Sequence, residues 1–257
     1  MKTFQYADAR NIIVSGDIHG DFKSMVFKLC VQYGCTDTLL IVAGDCGFGF
    51  ERPGYYEQVF QSVAGRLRKA NNWVAFIRGN HDDPSYFSEE KIAYKRWWTI
   101  PDYSVIRACG HSILCIGGAV SVDRRLRWEG NARRRELGHI RTAVWWPDET
   151  PQFRPDEIDS MPAEIQIDTV VTHTAPSFCQ LNAKHALRSW AAMDPALMDD
   201  VDAERKTMDQ IHKYLTGNGH PVERWIYGHF HQSWSSCIHG IEYSMLNVLE
   251  FKDVPSL

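Results

Sequence analysis

The sequence lacks paired cysteines, long apolar runs and a dominant charge, and each absence removes a class of protein. Its seven cysteines, Cys30, Cys35, Cys46, Cys109, Cys115, Cys179 and Cys237, are odd in number and form no Cys-x-x-Cys pair. A disulfide-stapled scaffold is therefore excluded, and the expectation is a reduced compartment with structural thiols. No window approaches the roughly 18 apolar residues of a membrane span. The first ten residues also lack the apolar stretch of roughly 7–15 residues that a secretory signal requires, so the expected location is cytoplasmic, with no membrane partner. With 28 Lys+Arg against 32 Asp+Glu, the net charge of −4 exerts no global pull toward nucleic acid. No repeat, low-complexity tract or flexible linker divides the chain, and residues 1–257 are read as a single domain.

What is present is a set of short apolar runs that stop abruptly in Gly, Asp, Asn or His. They span Ile12 to Val14, Leu39 to Ala43, Trp73 to Ile77, Ile113 to Ile116, Thr169 to Thr172 and Trp225 to Tyr227, with a late strand expected within Ile241 to Leu249. Short β-branched runs bounded by turn residues are buried strands. Between them, Phe22, Met25, Val26, Leu29, Cys30 and Tyr33 recur at helical spacing before the stop signal Gly34. Tyr56, Val59, Phe60, Val63 and Leu67 repeat the pattern, and Pro195 to Leu215 is helical again. Strand, helix, strand alternation implies βαβ units. Residues 121–160 break the rhythm. They carry Arg124, Arg125, Arg127, Arg133, Arg134, Arg135 and Arg141, interleaved with Trp128, Trp145 and Trp146, and they read as an insertion or lid.

The chemistry sits where strands end. Gly16-Asp17-Ile18-His19-Gly20, Gly44-Asp45, Gly79-Asn80-His81-Asp82, Thr172-His173 and Gly228-His229-Phe230-His231 each follow an apolar run. Loops at the carboxyl edge of an α/β sheet converge on one crevice, so five loops deliver Asp, His and Asn to one place. On an extended segment Asp17 and His19 point to the same side and can grip one ion, and the same spacing pairs His229 with His231. Carboxylate, imidazole and amide without thiolate suit Mn, Fe or Zn.

These five motifs, in this order, resemble those of the calcineurin-like metallophosphoesterases. The resemblance implies a four-layer α-β-β-α sandwich, two mainly β layers with outer helices, and a dinuclear metal site at the loop edge. It implies one metal held by Asp17, His19 and His231, a second by Asn80, His173 and His229, and Asp45 bridging both. The resemblance further implies that hydroxide from a metal-held water attacks phosphorus and that His81 protonates the leaving oxygen. The second motif departs from the family pattern. In Gly44-Asp45-Cys46-Gly47-Phe48, Phe48 stands where similar proteins place an Asp that orients the catalytic His. Asp82 and Asp83 are the candidates to replace it. The same departure argues against the Ser/Thr protein phosphatase branch.

The expected activity is metal-dependent hydrolysis of a phosphomonoester or phosphodiester, first of all in a small phosphorylated metabolite or nucleotide. Asn80, His81 and either Arg124 or Arg125 are the expected phosphate contacts. Two alternatives stand beside this reading. One is a nuclease-like phosphodiesterase using the 121–141 segment, where seven Arg against three acids leave a local excess of four positive charges. The other is a non-catalytic, metal-bound scaffold that meets a protein partner through Trp145 and Trp146. The sequence does not define the oligomeric state.

Overall fold

The computed structural model describes residues 1–137, 144–179 and 184–255. The first half runs β1 (Thr3–Gln5), β2 (Asn11–Ser15), α1 (Phe22–Phe27), β3 (Thr38–Ala43), α2 (Tyr55–Ala70), β4 (Trp73–Ile77), α3 (Ser85–Ser88), β5 (Ala93–Tyr94) and β6 (Trp97–Thr99). Next come β7 (Ser104–Ala108), β8 (His111–Ile116), α4 (Arg124–Glu136), α5 (Pro155–Asp159) and β9 (Thr169–Thr172). The chain then continues through α6 (Lys184–Ala191), α7 (Leu197–Gly217), β10 (Arg224–Tyr227), β11 (Trp234–Ile238), β12 (Ile241–Met245) and β13 (Phe251–Val254).

The strands form two mixed sheets. One has the order β13-β2-β3-β4-β6-β5, with β2, β3, β4 and β6 parallel and the two edges antiparallel. The other has the order β1-β7-β8-β9-β10-β12-β11, in which β8, β9, β10 and β12 run parallel. Period-2 alternation sorts each strand's side chains between two faces. Ile12, Val14, Leu39, Ile41, Ala75 and Ile77 of the first sheet join Ile106, Ile113, Cys115, Val171 and Ile226 of the second in one core between the sheets. The intervening residues Ile13, Leu40, Val42, Val74 and Phe76 pack outward with Phe22, Met25 and Val26 of α1 and Tyr56, Val59, Val63 and Leu67 of α2. On the other side, Leu114, Val170, Trp225 and Tyr227 pack with Ile158 of α5 and Met208, Ile211 and Leu215 of α7. An α/β fold of two facing sheets flanked by helices is thus written in the alternation of the strands. At roughly 1.5–3 kcal/mol for each fully buried large apolar side chain, these three cores carry the stability that the polar loops at the sheet edge do not supply.

Local chemistry sets the helix ends. The Asp21 carboxylate caps α1 by accepting from Ser24 N–H at 3.2 Å. The helix expected to run on to Tyr33 instead widens into a π-turn at Lys28–Gln32. Asn71, at φ 53°, closes α2 in the left-handed conformation. In the Arg/Trp-rich stretch the described residues form α4 and α5, with Leu126 and Trp128 exposed on α4. Residues 138–143, Arg141 among them, lie outside the described residues, as do the side chains of Arg134 and Arg135. No described helix is long and apolar enough to cross a membrane.

Candidate metal centre

β2, β3 and β4 of one sheet and β9 and β10 of the other end at the same edge, and the loops that follow bring Asp17, His19, Asp45, Asn80, His81, His173, His229 and His231 together. The approach is so close that it requires glycine. A Cβ on Gly79 would stand 2.1 Å from Asp45 Oδ1, and one on Gly44, at φ 97°, would stand 2.2 Å from His173 Nδ1. Four of the ligand candidates adopt left-handed backbone: His19 (φ 45°), Asp45 (45°), His229 (71°) and His231 (51°). Such positions cost on the order of 1–3 kcal/mol each and concentrate where function over-determines the backbone.

Asp17, His19, Asp45 and His231 present ligand atoms that all lie within 4.8 Å of one another. Among the described residues this is the one such group of His, Cys, Asp and Glu side chains. His19 Nε2 and His231 Nε2 are 2.9 Å apart, and Asp17 Oδ2 is 2.9 Å from His231 Nε2 and 3.7 Å from His19 Nε2. Asp17 is fully buried, yet among the described residues its Oδ2 accepts no well-directed hydrogen bond. An orphaned carboxylate oxygen facing two imidazole nitrogens is the donor set of a divalent cation, and these residues fit one. The geometry also corrects the pairing expected from spacing. His19 reaches the cluster through a left-handed turn rather than along an extended strand. His231 turns to Asp17, whereas the His229 ring packs on His173 with centroids 5.0 Å apart.

The second expected set gathers on the other side of Asp45. His173 Nε2 lies 3.2 Å from Asp45 Oδ1 and 3.0 Å from Asn80 Oδ1, while its Nδ1 faces the Ala43 carbonyl at 2.7 Å. An Nδ1–H donated to Ala43 leaves Nε2 turned into the site. Burial works against a charge on His173, but Asp45, Asp17 and the Ala43 carbonyl push its pKa up to about 9. The Asp17 carboxylate likewise raises His231. Burial works to raise the Asp45 pKa, but the imidazoles of His173, His81 and His19 around it outweigh that and hold it well below the usual carboxylate range. Were a cation held at His173 Nε2, it would displace that proton, because a ligating imidazole nitrogen is unprotonated. Apparent metal affinity is therefore expected to rise with pH up to about 9 and then level off. Calorimetric titration at pH 7 in two buffers of different ionisation enthalpy is expected to register about one proton released or more. An affinity flat between pH 6 and 9 would contradict the assignment.

His81 Nδ1 stands 3.4 Å from Asp45 Oδ2, and the His81 N–H donates to Asp45 Oδ1 at 2.7 Å. Neither Asp82 nor Asp83 replaces the missing family carboxylate. Asp82 is wholly buried and accepts from the backbone N–H groups of Cys46, Gly47, Phe48 and Gly79 at 2.7–2.9 Å, which shapes the loop after β3. Asp83 accepts from the Ser85 N–H and hydroxyl. The second carboxylate opposite His81 is Asp123, whose Oδ1 lies 3.9 Å from Nε2 and has no hydrogen-bond partner among the described residues. Phe48 is buried among Phe22, Tyr56, Phe76 and Phe87, so a carboxylate in that position would enter an aromatic core.

Asn80 is held from behind by a network that sequence reading missed. Its Nδ2 donates to Ser121 Oγ at 2.9 Å, and the Ser121 hydroxyl and N–H donate to the Glu149 carboxylate at 2.6 and 2.9 Å. Buried Arg78 fixes the Glu149 backbone, donating to its carbonyl at 2.6 Å, to the Thr150 carbonyl at 3.0 Å and to Asp102 at 2.8 Å. Arg124 turns away from the ligand candidates. It donates to Asp194 at 2.6 Å and pairs with Asp200 at 2.7 Å, while Arg125 pairs with Glu129 and the Met193 carbonyl. The guanidinium that lines the cleft is Arg205, on α7.

Two facing sheets whose loops gather carboxylates and imidazoles around a cation-sized space define a metal-dependent hydrolase scaffold. The family model of the calcineurin-like phosphoesterases matches residues 10–233, and the chain belongs to that family, which assigns it to the phosphoesterase hydrolases. Among solved structures, TT1561 of Thermus thermophilus is 11% identical with a TM-score of 0.47, covering 97% of this chain and 100% of its own. The phosphopantetheinyl hydrolase of Mycobacterium tuberculosis is 15% identical with a TM-score of 0.38, covering 93% of this chain and 91% of its own. No curated protein sequence matches significantly.

Proposed function

We propose that this protein hydrolyses a phosphomonoester or phosphodiester of a small phosphorylated metabolite or nucleotide. The observation that carries the reading is the placement of Asp45 between Asp17, His19 and His231 on one side and Asn80, His173 and His229 on the other. The first three, with Asp45, would hold one Mn, Fe or Zn ion, and the last three a second. When bound, such ions supply positive charge for the phosphoryl oxygens and a water of lowered pKa.

The protein's own groups complete the chemistry. Asn80, its amide oriented by Ser121, presents Oδ1 to the site. His81 spans Asp45 and Asp123 at the mouth of the cleft, placed to hand a proton to the leaving oxygen. Burial lowers its pKa, as does Arg127, against the pull of Asp45 and Asp123, so at neutral pH a passing proton is weakly held. A cavity of about 250 Å³ at the ligands suits a small ester. The segment around α4 is read as a lid on one catalytic unit, and the seven free cysteines accord with a cytoplasmic setting. A nuclease reading loses support because Arg124, Arg125 and Arg127 are each paired with a carboxylate of this chain.

The test is turnover of p-nitrophenyl phosphate and bis-p-nitrophenyl phosphate after metal removal and separate restoration of Mn, Fe(II) or Zn. Restored turnover is expected, and its monoester or diester bias directs the choice of natural substrates. Protein that binds each metal yet turns over neither ester would overturn the hydrolase reading in favour of a scaffold.

A further inference from the structure

The cavity at the metal ligands has a second, differently built end. Beyond Asn80 and His81 its walls are apolar, formed by Val120, Val122, Leu187, Trp190, Val201 and Phe230, and Arg205 stands among them. Arg205 is only 4% exposed. Its Nη2 donates to the Cys179 carbonyl at 3.1 Å, but Nε and Nη1 have no hydrogen-bond partner among the described residues. The adjacent Glu204 does not occupy them. One of its oxygens accepts from Thr174 Oγ1 at 2.6 Å and the other from the Val120 N–H. The guanidinium instead lies 5.5 Å from the centroid of the Phe230 ring, which in turn packs on His229 with centroids 4.7 Å apart. Stripping a cation of water and leaving two of its nitrogens unmatched is unfavourable unless something else fills them. An oxyanion matches the guanidinium fork in charge and geometry.

Resting on the phosphoesterase reading, we propose that Arg205 anchors a second oxyanion of the substrate. The class of substrate is a phosphoester whose organic part is a small apolar or aromatic group carrying a carboxylate or a further phosphate. Its scissile phosphoryl group lies at the metal ligands, its apolar body against Trp190, Val201 and Phe230, and its second anion on Arg205.

The probes are phenylphosphonate, 4-carboxyphenylphosphonate and 1,4-phenylenediphosphonate, non-hydrolysable and titrated calorimetrically into the Mn-loaded protein. Either second anion is expected to tighten binding about tenfold or more. In Arg205→Gln and Arg205→Met that gain is expected to fall to about threefold or less, and Arg205→Lys to keep part of it. Equal affinities for the three probes in the unaltered protein would overturn the proposal with no variant needed. Variants that weaken all three equally would also overturn it, by placing the guanidinium on the phosphoryl group instead. Parallel turnover of p-nitrophenyl phosphate separates the two claims. Turnover without anion selectivity removes the Arg205 anchor alone, whereas selectivity without turnover removes the hydrolase reading and keeps the anchor.

Discussion

Asp45→Asn is expected to reduce turnover of p-nitrophenyl and bis-p-nitrophenyl phosphate by about a thousandfold or more while leaving the fold intact. Asp45 is 2% exposed and meets both halves of the site. Its Oδ1 faces His173 Nε2 at 3.2 Å and the His81 N–H at 2.7 Å, and its Oδ2 faces His81 Nδ1 at 3.4 Å and His19 Nδ1 at 4.0 Å. Asparagine keeps the volume that the nearby Gly79 backbone tolerates, but it turns an amide toward imidazoles and removes the negative charge that any cation here requires. Burial then acts on His173 without its main opponent, so the His173 pKa is expected to drop below its present value of about 9. Three measurements check the account together. Bound metal by elemental analysis is expected to fall and the proton release on metal binding to shrink. The melting temperature of the metal-free protein is expected to move by only a few degrees. Full turnover in Asp45→Asn would sink the shared-carboxylate reading.

The parts of the fold that sequence reading found are those in which one strand meets two apolar layers. Ile12 and Val14 face the other sheet while Ile13 faces α1, so β2 reads as an unbroken apolar run, and β3 and β4 follow the same rule. β1 and β11 sit at a sheet edge with alternating exposed residues, and β5 has only two residues, so none produces such a run. The ligand candidates were legible because they follow strand ends, most of them beside glycine, whereas His173, between Thr172 and Thr174, stood out by its place after a strand alone. Their supporting groups were not. Arg78 belongs to the same loop as Asn80, but its partners Asp102, Glu149 and Thr150 are remote in sequence, and only folding sets them around it. Glu204 and Arg205 look like the solvated charges of a surface helix. The spacing nevertheless held a signal, since Leu197, Val201, Glu204, Met208, Ile211 and Leu215 form one continuous helical stripe, and a carboxylate on an apolar stripe is buried for a reason.

The second large effect is expected at Arg78. Arg78→Met should destabilise the protein by about 3–5 kcal/mol, because it leaves the half-buried Asp102 against the Gly117 N–H without its cation and frees three backbone carbonyls at 148–150. At this chain length that corresponds to a fall of about 10 °C in melting temperature. The replacement also removes the clamp on the segment that carries Glu149. Burial already pushes the Glu149 carboxyl up to about 7, and it is the acceptor that fixes Ser121 and, through Ser121, the Asn80 amide. Activity is therefore expected to fall more than the folded fraction accounts for, because the Asn80 amide loses its orientation. Arg78→Lys is expected to recover little, since an ammonium cannot span Asp102 and the carbonyls of Glu149 and Thr150 at once. Adding Asp102→Asn to Arg78→Met should cost less than the sum of the single changes, because the uncompensated carboxylate is then gone. Thermal unfolding of the four proteins, read beside turnover per folded molecule, separates the two effects. An Arg78→Met protein with normal turnover per folded molecule would show that Asn80 is positioned without this network.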